Sequence, residues 1–176
     1  MTHFKRFFVV FVLITVCFSL QCLVLPSIDY LIAVPNLLLV AVMTSGFLFG
    51  KATGLAAGVV SGLLLDLFAS GVPGFYILIL SWLGFIDGVF SEKIESELIL
   101  VLYLFLFGNE IVFHAYQYLF SFLLDKSFVF KVYLTEVFVP EILLTMVFFL
   151  VFYGVTYFVS KKWDLKVNKG EVRVVH

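Results

Sequence analysis

The sequence predicts an all-α integral membrane protein, with six transmembrane helices in one bundle. Three observations carry this expectation. Of 176 residues, 63% are hydrophobic and 13% charged, against roughly 45–50% and about 25% in an average soluble domain. The apolar residues form long runs rather than the alternating pattern of barrel strands, so helices must satisfy the backbone. The polar stretches between the runs are only a few residues long, which leaves no room for a soluble domain. A net charge of −1 from 11 basic and 12 acidic residues offers no polyelectrolyte surface for nucleic acid.

The apolar segments are drawn at 7–28, 31–50, 52–70, 73–90, 98–124 and 132–159, each near the roughly 20 residues a bilayer requires. In the first, Lys5 and Arg6 precede a run from Phe7 to Leu25. That run exceeds a signal-peptide core and no small-residue cleavage site follows it, so a retained anchor is expected. Cys17 and Cys22 lie within it and say little about redox compartment.

The second segment carries Pro35 and Asn36 in its first turns. Proline there removes a hydrogen bond and either kinks or begins the helix. Asn36 falls at the depth of Asp66 in the third segment. It is read either as Asp66's partner or as a local helix-start device. Glycines at 46, 50, 54, 58 and 62 recur every four residues into the third segment. Gly54, Gly58, Ser61 and Gly62 share one of its faces. The fourth segment has Gly74, Ser81 and Gly88 at heptad spacing, with Gly84 beside them. Small residues let helix backbones approach closely in lipid, so these faces serve internal packing, a partner's helix, or both. Asp87, near the other end of the fourth segment, is expected beside the headgroups and partly solvated. Asp66, among close-packed glycines, is expected to tolerate leucine less well than Asp87.

Glu110, His114, Gln117 and Ser121 stack on one arc of the fifth segment. Ionisable groups inside a membrane are costly and are functional candidates by default. The stripe should face the bundle interior or a partner, as an internal hydrogen-bond network, a proton or substrate path, or a polar contact. Glu136 and Glu141 lie in the outer half of the sixth segment.

Orientation follows from the basic residues. Six passes starting from the cytoplasm put Lys5, Arg6, Lys51, Lys93, Lys161, Lys162, Lys166, Lys169 and Arg173 inside, and only Lys126 and Lys131 outside. Both termini are then cytoplasmic. Trp163 and Tyr157 suit the inner interface, and Tyr30 and Tyr133 the outer one. The chain divides into a membrane domain, 1–160, and a short basic tail, 161–176.

Enzyme signatures are missing: there is no His-Glu-x-x-His, phosphate-binding loop or Gly-x-Ser-x-Gly elbow. Glu110 and His114 alone supply too few ligands for a metal. No catalytic, cofactor or metal residue is assigned.

The stretch from Pro35 to Gly88 resembles the bacterial rod shape-determining MreD family. The matching features are Pro35-Asn36 followed by leucines, Gly50 with a basic residue at Lys51, Gly58, Gly62-Leu63-Leu64-x-Asp66, and Pro73-Gly74 opening the next span. The specific part covers about a third of the chain, and segments 1, 5 and 6 match in hydropathy. The resemblance implies a non-enzymatic scaffold in the bacterial cytoplasmic membrane, part of the cell-elongation and peptidoglycan-synthesis complex. Its implied partners are MreC and, through it, actin-like MreB, RodA and a class B penicillin-binding transpeptidase. The implied fold is similar to the six-helix substrate-binding S component of energy-coupling-factor transporters. No catalytic residue carries over; Pro35, Asn36, Gly58, Gly62, Asp66 and Gly74 are structural or interface candidates. The alternative is a vitamin transporter's solute-binding membrane subunit, using Asn36, Asp66 or Glu141. The short outer loops argue against such a lid-bearing protein.

Overall fold

The computed structural model describes residues 2–28, 33–68, 72–93, 99–124 and 133–163. They form helices α1 Thr2–Ser19, α2 Leu37–Phe49, α3 Lys51–Phe68, α4 Phe75–Phe90, α5 Ile99–Leu124 and α6 Val139–Lys162. Two π-helical segments extend this set. Leu20–Val24 prolongs α1 and passes into a 3-10 turn at Leu25–Ser27, and Tyr133–Phe138 leads into α6. There is no strand among the described residues. Four helical stretches, Phe4–Ser27, Lys51–Phe68, Ile99–Phe120 and Tyr133–Lys162, are long and apolar enough to cross a membrane. The chain is thus an all-α, multi-pass membrane protein. The sixth helix continues to Lys162, two residues past the expected end of the membrane domain at 160.

The second segment departs from expectation. It is helical only over Leu37–Phe49. Thirteen residues rise about 20 Å, short of a hydrocarbon core about 30 Å thick. Every residue of α2 is buried, as suits a helix apolar on all faces. It packs on α3, α4, α6 and α1 and forms the axis around which they gather. The outer faces of the surrounding helices, α5 included, are apolar instead: Phe4 and Phe7 on α1, Leu67 on α3, Leu100 and Leu104 on α5, and Val147 and Phe158 on α6 are exposed. Water would not tolerate such a belt; acyl chains do.

A helix that begins inside a membrane must have its first N–H groups satisfied by protein. For α2 this is done in full. Leu37 N–H donates to Pro35 O, Leu38 N–H to Gln21 Oε1 at 2.9 Å, and Leu39 N–H to Asn36 Oδ1 at 3.2 Å. Pro35 therefore precedes the helix rather than kinking it. Asn36 is a local cap and does not pair with Asp66. The π-helical turn of α1 brings Gln21 to this end. At the other end α2 turns into α3 through Gly50 alone, at φ 88° and ψ 176°, a conformation essentially restricted to glycine.

The small-residue faces of α3 and α4 meet each other, in the most extensive helix pairing of the fold. A Cβ on Gly58 would run into Leu80 O and Ser81 Cα, one on Gly62 into the backbone of Tyr76 and Ile77, and one on Gly54 into Gly84 O. Gly84 and Gly88 in turn face Gly54 and the Lys51 backbone. Both faces are consumed by internal packing. Lys51 Nζ and Glu92 Oε1, 3.2 Å apart, close the exposed end of this pair.

Candidate functional site

Asp66 ends up in a structural role. From the last turns of α3 it accepts hydrogen bonds from the N–H groups of Gly74 (3.0 Å), Tyr76 (2.9 Å) and Ile77 (3.3 Å). It thereby caps α4, whose own N-cap is a glycine at φ 89° with no side chain to offer. A carboxylate at a helix start also meets the positive end of the helix dipole.

Asp87 corrects a second expectation. It is fully buried, not solvated near headgroups. Asn109 of α5 donates its Nδ2 to both carboxyl oxygens, at 3.0 and 2.8 Å. The close approach of Gly46 and Gly88 draws that part of α4 into the bundle, and the side chain goes with it.

The polar stripe of α5 faces inward. Glu110 and His114 are buried, one helical turn apart, with His114 Nε2 at 3.3 Å from Glu110 Oε2. Glu141, in the first turn of α6, brings its Oε1 to 3.7 Å from the same nitrogen. On the opposite side of the ring, His114 Nδ1 lies 2.9 Å from Tyr133 Oη. Tyr133 donates to Gln117 Oε1 at 3.3 Å. Tyr133 is therefore a buried member of the cluster, not an interfacial aromatic. The π-helical segment at 133–138 supplies it. Gln117 completes the stripe; the side chains of Ser121 and Glu136 lie outside the described residues.

Thr145 of α6 ties this cluster to the start of α2. Its Oγ1 accepts from Asn36 N–H at 2.9 Å and donates to Glu141 O at 2.8 Å. Between them lies a cavity of about 210 Å³, lined by Gln21, Asn36, Tyr76, Phe113, Gln117 and Glu141 among others. Of the sequence candidates, the fold thus gathers Asn36, Glu110, His114, Gln117 and Glu141 into one region. It leaves Asp66, Gly58, Gly62 and Gly74 in the α3–α4 pair, and Asp87 with Asn109. Gln21, Tyr133, Thr145 and Asn109 were not singled out as partners. None carries a spacing signal, and only proximity across helices identifies them.

A family model described as 5TMR of 5TMR-LYT matches residues 4–157. No curated protein and no solved structure matches the chain.

Proposed function

The chain belongs to the 5TMR of 5TMR-LYT family, and within that membrane family we propose that it works as a non-enzymatic scaffold of the cell-elongation complex, holding the membrane helix of an MreC partner. The observation that carries this reading is how the residues of the MreD-like stretch are spent. Asn36 caps α2, Asp66 caps α4, Gly74 starts α4, and Gly58 and Gly62 admit the α4 backbone. They build a stiff α2–α3–α4 core and leave the lipid-facing sides of α1, α5 and α6 for other proteins. Between α1 and α6 runs an apolar groove of about 330 Å³, lined by Phe8, Val12, Val16, Phe152, Val155 and Val159 among others. An apolar helix laid there gains packing without desolvating a polar group.

The test is co-purification from native membranes. The parental protein should bring MreC with it. Val12→Phe and Val155→Phe should fold to parental yield and lose most of that MreC, because the added ring fills the groove. Absence of MreC from the parental preparation would end the scaffold reading.

The same reading places the protein in the bacterial cytoplasmic membrane with both termini inside. It rests on the nine-to-two distribution of basic residues. In a background lacking Cys17 and Cys22, single cysteines at Lys51, Glu95 and Asn168 should resist an impermeant thiol reagent in intact spheroplasts. One at Lys126 should react. Labelling at Asn168 without permeabilisation would refute this topology.

A second reading, solute binding in the manner of a vitamin transporter subunit, is favoured by the polar cavity beside Asn36 and Glu141. It predicts a small molecule retained on purification in place of a protein partner. Asp66, named for that role from the sequence, is occupied with α4.

A further inference from the structure

The geometry points to a divalent metal site at Glu110, His114 and Glu141, joining α5 to α6. Four observations converge on it, and none depends on the scaffold reading.

The first is the ligand set. One carboxylate oxygen from each glutamate and one imidazole nitrogen lie within 4.8 Å of one another. Glu110 and His114 supply two ligands from one helix face, and α6 brings the third.

The second is unmet bonding. Both carboxyl oxygens of Glu110 and Nε2 of His114 are buried and make no well-directed hydrogen bond, although Oε2 and Nε2 lie 3.3 Å apart. Glu110 is 0% exposed and His114 3%. Buried polar atoms are rarely left this way.

The third is the proton on the ring. A tyrosine hydroxyl has one hydrogen to give, and Tyr133 gives it to Gln117. With that donation, the contact of 2.9 Å between Tyr133 and His114 uses the hydrogen on Nδ1, one of the two tautomers open to the ring. In the neutral ring Nε2 is left with its lone pair aimed at two carboxylates. Three electron-rich groups facing one another in a medium of low dielectric constant are relieved by a shared proton or by a metal cation among them, and the site offers room for the latter. A hydrogen bond from the far nitrogen is also the arrangement that orients metal-bound histidines.

The fourth is distance. A charge-assisted hydrogen bond between imidazolium and carboxylate draws its atoms to about 2.7–2.9 Å. The separations here are 3.3 and 3.7 Å. Ligands about 2.1 Å from a tetrahedral centre lie about 3.4 Å apart. The two separations from Nε2 match that spacing, and the third lies within 4.8 Å.

Imidazole with carboxylates suits zinc and neighbouring first-row divalent cations. A double positive charge balances the two glutamates, so the loaded site is close to neutral inside the membrane. Glu141 also lines the 210 Å³ cavity. The ion would fasten α5, which packs on its neighbours more sparsely than α3 and α4 pack on each other.

The experiment uses the full chain in detergent, stripped with a chelator and titrated with zinc by calorimetry and elemental analysis. Cobalt absorption serves as a coordination probe. One zinc per chain, a raised unfolding midpoint and a four-coordinate cobalt spectrum are expected. Glu141→Gln, isosteric and at the edge of the cluster, should keep the metal-free unfolding midpoint and lose at least tenfold in zinc affinity. Tyr133→Phe should keep the ion but bind it about 10–100-fold more weakly. Absence of stoichiometric zinc on the parental protein overturns the proposal whatever the variants do. So does parental affinity in Glu141→Gln, which would assign the ion to another site.

Discussion

Gly58→Leu is expected to abolish recovery of folded protein. A Cβ at this position would already overlap the Leu80 carbonyl and the Ser81 Cα of α4. Those atoms are backbone, so no rotamer change relieves the overlap. The two helices must separate along a contact that includes Gly54, Gly62 and Gly84. Overpacking a well-filled core costs about 1–3 kcal/mol when side chains can shift, and more is expected here because main chain must move. In a membrane there is little to oppose separation, since lipid solvates the opened faces as well as it solvates the rest of the helix. Gly108→Leu and Gly154→Leu are the controls, because a Cβ at either meets nothing within 4 Å. The measurement is monodisperse protein by size exclusion in detergent. Parental yield for Gly58→Leu would mean that α3 and α4 do not pack through this face.

The second large effect is expected at Asp66, and the informative change is to asparagine. Asp66 accepts from three backbone N–H groups at the start of α4. Asparagine keeps one acceptor oxygen and points an amide donor at the remaining N–H groups. Hydrogen bonds to a charged group are worth about 1.5–3 kcal/mol each, and at this half-exposed site the upper part of that range is not reached for every one. Asp66→Asn should therefore lose about 2–4 kcal/mol. Asp87→Asn should lose about 1 kcal/mol or less, since two facing side-chain amides can rotate to pair with each other. Equilibrium unfolding in mixed micelles compares the two. A larger loss at Asp87 would refute the capping role assigned to Asp66. With leucine the contrast narrows. Asp87 is fully buried, so Asp87→Leu strands the Asn109 amide and is also damaging.

The local features of this protein were legible in its sequence. Composition and run length specify an all-α membrane protein. Three- and four-residue spacing places Gly54, Gly58 and Gly62 on one face and Glu110, His114 and Gln117 on another, because helical pitch is a property of the chain alone. The Pro35–Asn36 pair marks a helix start by its own chemistry.

Only the tertiary structure decided which faces meet and at what height. Lipid is as apolar as leucine, so the hydrophobic pattern of a membrane helix does not separate inside from outside as it does in a soluble protein. The sequence therefore left two glycine faces without saying that they would pack on each other. It placed Asp66 near Asn36 in depth without showing that Asp66 would serve the start of α4 and Asn36 that of α2. A 13-residue α2 was indistinguishable from a full span until its non-helical lead-in at 33–36 was seen. Glu141 and Tyr133 reach His114 from 27 and 19 residues away in the chain. No periodicity within one helix encodes a contact between two, and that contact is what turns a polar stripe into a site.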